Sequence, residues 1–166
     1  MAARSREDYL PLAVEAGQAL LAAGLRVVTA ESCTGGGLAA ALTDVPGSSQ
    51  WFERGYVTYS NAAKIQELGV DRSVLEQHGA VSAEVARQMA VGALQASGTD
   101  VVVAITGVAG PDGGTLEKPV GLVYLACGRR GRPLQVVREL FAGDRADVRG
   151  AAVAEALRLL TRATRD

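Results

Sequence analysis

Ser32, Cys33 and Thr34 stand side by side in residues 30–37, which read AESCTGGG. The stretch lies between the apolar run 25–29 and the small, apolar run 38–42, so it reads as the corner of a strand–turn–helix unit. Such a corner gathers hydroxyls and bare backbone N–H groups at a helix N-terminus, a geometry suited to an anion or a developing oxyanion. The same residues suit a purely structural corner, since Ser and Thr commonly cap helices and Gly commonly serves the turn. By itself the segment favours the cap, and the rest of the chain has to decide.

A second corner brings a lysine. Residues 55–59, GYVTY, alternate as a strand does, Ser60 or Asn61 caps a helix through Leu68, and Gly69 stops it. Lys64 falls in the first turn of that helix, where the helix dipole disfavours a cation. A solvated surface lysine tolerates such a position. In a parallel α/β sheet, however, strand-to-helix corners gather along the carboxyl ends of the strands, where ligands bind. Ser32 and Lys64 meeting there would form a nucleophile and base pair, with Tyr59 in reach. The third corner follows the fully apolar run 101–105, VVVAI, which has the length and β-branching of a central strand. Its loop, 106–114, reads TGVAGPDGG and matches neither the Rossmann nor the P-loop pattern. Gly-rich loops are often plain turns, but three such corners in one short chain argue for a site.

Scaffold accounts for the remainder. Residues 5–23 read as an amphipathic helix, with Ser5 and Asp8 as a capping box, Pro11 near the regular start and Gly24 as the stop. Trp51 and Phe52 suit core packing, with an interface or pocket wall as alternatives. His78 reads as the end of a helix, and Ser82 caps a helix to Ala96. Residues 120–127 and 134–141 form two strands joined by the turn 128–133. Asp144 caps a final helix to Arg162, with Val153, Leu157 and Leu160 on its buried stripe and Arg145 and Arg149 sharing one face of its first turn.

Composition narrows the classes. The chain has 166 residues, enough for one domain with a proper core, and is 48% hydrophobic with 4% aromatics and 20 glycines. A net charge of −1, with no basic tract, argues against nucleic acid as a partner. No apolar run reaches membrane-spanning length, and residues 1–7 lack a signal-peptide core, so a cytoplasmic location is expected. Cys33 and Cys127 are too few for a disulfide framework, and the single histidine excludes a His-rich metal site.

In these motifs the chain resembles the CinA C-terminal-domain family, whose stand-alone bacterial members are nicotinamide-nucleotide amidases. The stretches are TAESCTGG at 29–36, GSSQWFERGYVTYSNAAKI at 47–65, HGAVS at 78–82, TGVAGPDGG at 106–114, EKPVGLVY at 117–124 and GDR at 143–145. Ala62 departs from the pattern, where an acidic residue is expected. The resemblance implies a single three-layer α/β domain over 1–166, with a mixed, mostly parallel sheet flanked by helices, and a stand-alone member without an N-terminal partner domain. It implies hydrolysis of the carboxamide of nicotinamide mononucleotide, with Ser32 as nucleophile, Lys64 as base and Tyr59 assisting proton transfer. Backbone N–H groups at Cys33, Thr34, Gly35 and Gly36 are then the oxyanion candidates. Thr106, Gly107 and Gly110 border the ligand, and Arg145 is the preferred phosphate partner. No metal or organic cofactor is expected, and a homodimer is. The rival reading is a nucleotide-binding module without turnover; a Cys33 thiol enzyme is weaker, because no histidine is placed to activate it.

Overall fold

The computed structural model describes residues 6–166, so the Ser5 cap expected for the first helix lies outside the described residues. Helix α1 (Arg6–Ala23) ends at Gly24, which takes a left-handed φ of 65°. Pro11 lies inside α1 rather than at its start. The chain continues through β1 (Val27–Glu31), α2 (Gly37–Thr43), a single 3-10 turn (Ser48–Gln50), β2 (Phe52–Val57), α3 (Asn61–Leu68) and α4 (Arg72–His78). After these come α5 (Ala83–Ser97), β3 (Val101–Gly107), β4 (Leu122–Arg129), β5 (Gln135–Leu140) and α6 (Arg145–Ala163).

The five strands form one sheet in the order β2-β1-β3-β4-β5. β2, β1 and β3 run parallel, and β4 and β5 close the sheet as an antiparallel hairpin. Four strands therefore share one direction and β4 alone opposes them, the mixed, mostly parallel sheet expected of an α/β domain. Alternation along the strands feeds two cores. Val101, Val103 and Ile105 join α1, α2 and α6 on one face, while Val102 and Ala104 join α4 and α5 on the other, with Leu68 of α3. The result is three layers.

The bounds of several elements differ from the sequence reading, β4 among them, which runs 122–129 rather than 120–127. β1 runs two residues further, because Ala30 and Glu31 pair with Tyr56 and Val57 on one side and with Ala104 and Ile105 on the other. β2 starts earlier and stops at Val57; the Thr58 N–H still donates to the Glu31 carbonyl of β1, but the carbonyls of Thr58 and Tyr59 turn to Lys64. As an edge strand it tolerates the polar Glu53 and Arg54. The short helix α4 ends at His78, as expected. Trp51 is core, 3% exposed, and an added Cβ at Gly17 would lie 2.5 Å from its ring.

Gly92 shows how tightly the site's scaffold is packed. A Cβ there would sit 1.8 Å from the carbonyl oxygen of Leu68, at the end of α3. Backbone cannot yield as a side-chain tip can, so α5 and α3 must separate. Gly92→Ala is expected to cost about 3 kcal/mol, a fall in melting temperature of roughly 6–12 °C, read by thermal unfolding. An unchanged melting temperature would contradict this packing.

Candidate active site

Parallel alignment sets the geometry. Ser32 directly follows β1, Tyr59 lies just beyond β2, and Thr106 is near the end of β3, so all three gather at one edge of the sheet. Lys64 comes from the first turns of α3, which Ser60 caps by accepting from the N–H of Ala63, as expected. These residues line a cavity of about 300 Å³. Its walls are Ser32, Cys33, Tyr59, Lys64, Ala80, Val81, Thr106, Gly107, Val108, Ala109, Gly110, Asp112, Gly113 and Arg145.

Lys64 is not a surface lysine. It is 1% exposed, and its Nζ lies 2.9 Å from Ser32 Oγ, 2.8 Å from the Thr58 carbonyl and 3.1 Å from the Tyr59 carbonyl. Those two carbonyls exist as acceptors because β2 ends at Val57. Burial lowers the lysine pKa from 10.5 to about 8, since the ammonium loses its hydration. Two N–H groups held by carbonyls leave the amine's third position aimed at Ser32, the arrangement a base needs. The Cys33 thiol, by contrast, is pushed up to about 11 by burial and is an inert neighbour.

Tyr59 lines the cavity with Ser32 and Lys64, as expected. Its main-chain carbonyl approaches Ser32 and Lys64, whereas its phenol oxygen accepts from Arg145 Nη2 at 3.1 Å. Arg145 also donates Nη1 to the Gly110 carbonyl at 2.7 Å, tying α6 to the glycine loop at the cavity rim. Thr106 donates its hydroxyl to the Ala80 carbonyl at 2.8 Å. Cys33, Gly107 and Gly110 reach the cavity wall; Thr34, Gly35 and Gly36 do not.

The reason lies in Glu31, which the sequence reading passed over. Its carboxylate is fully buried; Oε1 accepts from Thr34 Oγ1 at 2.7 Å and the Leu38 N–H at 2.8 Å, and Oε2 accepts from the Ala39 N–H at 3.0 Å. The N-terminal donors of α2 are thus taken by Glu31, and neither Ser32 nor Thr34 caps the helix; its N-cap is Gly36, with a left-handed φ of 96°. What remains for an oxyanion is the turn before α2. Among the described residues, no backbone acceptor takes the N–H of Cys33 or Thr34, while that of Ser32 is used by Ile105 and that of Gly35 by Ser32. The signal for Glu31 was the alternation Val27, Thr29, Glu31, which places it on the α2 face of β1. Ala80, Val81 and Asp112 were also missed as wall residues, although they lie in the HGAVS and TGVAGPDGG stretches. Among the described residues, no cluster of His, Cys, Asp or Glu can hold a metal ion, and no helix is long and apolar enough to cross a membrane.

Fold and site together define an α/β domain carrying a serine and a buried lysine in a cavity at the carboxyl ends of its parallel strands. The model of the CinA C-terminal domain family matches residues 10–164, and the chain belongs to that family. It is 57% identical to nicotinamide-nucleotide amidohydrolase PncC of Enterobacter agglomerans, over 83% of this chain and 84% of that protein. It is 54% identical to nicotinamide-nucleotide amidohydrolase PncC of Escherichia coli K12, over 92% of this chain and 93% of that one. Among solved structures, the competence/damage inducible protein CihA from Agrobacterium tumefaciens superposes with a TM-score of 0.92 at 42% identity, over 100% of this chain and 99% of that one.

Proposed function

We propose that this chain is a nicotinamide-nucleotide amidohydrolase, converting nicotinamide mononucleotide and water to nicotinic acid mononucleotide and ammonia, with 1–166 working as one amidohydrolase domain. The observation that carries the reading is the 2.9 Å contact between the buried Lys64 amine and Ser32, in a chain 54–57% identical to relatives of that name. Neutral Lys64 accepts the Ser32 proton as Oγ attacks the carboxamide carbon. The N–H of Cys33, the residue after the nucleophile and on the cavity wall, holds the oxyanion. Lys64 then gives its proton to the departing nitrogen, which leaves as ammonia, and water hydrolyses the ester on Ser32 by the same route. The chemistry needs neither metal nor organic cofactor. Incubation with nicotinamide mononucleotide is expected to release ammonia and nicotinic acid mononucleotide in equal amounts. Binding without ammonia release would identify a non-catalytic nucleotide-binding module instead. A cytoplasmic homodimer is the expected form; sedimentation velocity at working concentration reads the dimer.

Arg145 is the phosphate partner in this scheme. Among the described residues, two of its five N–H donors are engaged, by Gly110 and Tyr59, which leaves the others for an anion at the rim. Arg145→Ala is expected to raise KM for nicotinamide mononucleotide by a factor corresponding to about 1.5–3 kcal/mol. Activity on nicotinamide riboside, which has no phosphate, should barely change. Equal losses on both substrates would make Arg145 structural.

A further inference from the structure

The turn that follows the nucleophile is gripped from two sides by charged residues that do not line the cavity. From β1, Glu31 accepts the Thr34 hydroxyl at 2.7 Å. From α6, Arg149 donates Nε to the Cys33 carbonyl at 3.1 Å and Nη2 to the Thr34 carbonyl at 3.3 Å. The guanidinium packs closely over Gly35, where an added Cβ would lie 3.4 Å from Nη2 and where φ is 57°. In a trans peptide the C=O and N–H of one plane point in opposite directions. Holding the Cys33 and Thr34 carbonyls on the α6 side therefore fixes the peptide planes of the turn directly after Ser32. Glu31 fixes the same turn through the Thr34 side chain.

We propose that Glu31 and Arg149 are positioning residues that hold the turn carrying the Cys33 N–H, the oxyanion donor beside Ser32, Glu31 through the Thr34 hydroxyl and Arg149 through the Cys33 and Thr34 carbonyls. The proposal rests on the amidohydrolase reading. It assigns the two arginines of α6 to separate tasks: Arg145 to the phosphate, and Arg149 to the turn. Donors aimed at an oxyanion act in the transition state and little in the ground state, so their misalignment lowers kcat and leaves KM nearly alone. The rival role for Arg149 is direct anion binding, since it borders a cleft that it shares with Arg145.

The test is steady-state kinetics on nicotinamide mononucleotide with Arg149→Met, Thr34→Val and Thr34→Ser, each checked for folding by thermal unfolding. Arg149→Met and Thr34→Val are expected to lower kcat about tenfold to a hundredfold, to change KM less than about threefold, and to keep the wild-type pH dependence of kcat/KM. Thr34→Ser, which restores the hydroxyl to Glu31, should recover most of the lost kcat. A rise in KM for Arg149→Met at unchanged kcat would make it a substrate ligand and overturn the proposal. Wild-type kcat in Thr34→Val would overturn it too, and that near-isosteric variant decides the matter if Arg149→Met does not fold. A wild-type protein that releases no ammonia from nicotinamide mononucleotide would instead remove the amidohydrolase reading itself.

Discussion

Ser32→Ala is expected to abolish amidase activity, with kcat/KM falling about a thousandfold or more, as for other catalytic nucleophiles. Cys33→Ala should retain most of it. The two residues are adjacent and both line the cavity, so proximity does not separate them; protonation does. With a pKa of about 11 the Cys33 thiol is a thiolate in roughly one molecule in ten thousand at pH 7. Ser32 has its base at 2.9 Å. Removing the Ser32 hydroxyl leaves Lys64 bonded to the Thr58 and Tyr59 carbonyls, so the variant should remain folded. Ammonia release measured on both folded variants checks the assignment. An active Ser32→Ala beside a dead Cys33→Ala would transfer the nucleophile to the thiol.

The three corners were legible because each follows from a local rule: an apolar strand, a polar break, a capped helix. Ser60 and Ser82 cap as their types demand, and Asp144 with Asp147 completes a capping box on α6. Parallel pairing then brings Ser32, Lys64 and Thr106 together with no further information. What local rules could not supply is where each long side chain points. Glu31 reads as a polar residue opening a loop, yet two strands flank it and its carboxylate is enclosed by α2. Tyr59 reads as the last residue of its strand, yet the strand ends two residues earlier and its phenol bonds to Arg145. Arg145 and Arg149 are equivalent by spacing, and only packing separates one at the cavity from one on the turn.

The arrangement also accounts for what the edge strand contributes. β2 is partly exposed and polar, a poor strand by composition, but its early end leaves two carbonyls unpaired by the sheet at the place where Lys64 arrives from α3. A strand two residues longer would have used those carbonyls, or turned them away. Local irregularity at the end of an edge strand is here the feature that orients the base.

Lys64 yields the second large effect. A free lysine is almost wholly protonated at neutral pH and cannot accept the Ser32 proton. With the pKa lowered to about 8 by burial, roughly one tenth of the molecules carry the neutral amine at pH 7. kcat/KM is therefore expected to rise about tenfold between pH 7 and pH 9, through an ionisation near 8, and then level. Lys64→Arg should be inactive despite keeping the charge, because arginine remains protonated and its planar head cannot replace the amine. Stability gives an independent reading with a fixed sign. Between about 8 and 10.5 the unfolded chain holds a proton that native Lys64 has released, so wild-type stability rises with pH across that window. Relative to Lys64→Met, the wild type should gain about 3 kcal/mol there, measured by urea unfolding at several pH values. An active Lys64→Arg, together with a wild-type stability difference that ignores pH in this range, would make Lys64 a permanently charged binding group and require another base.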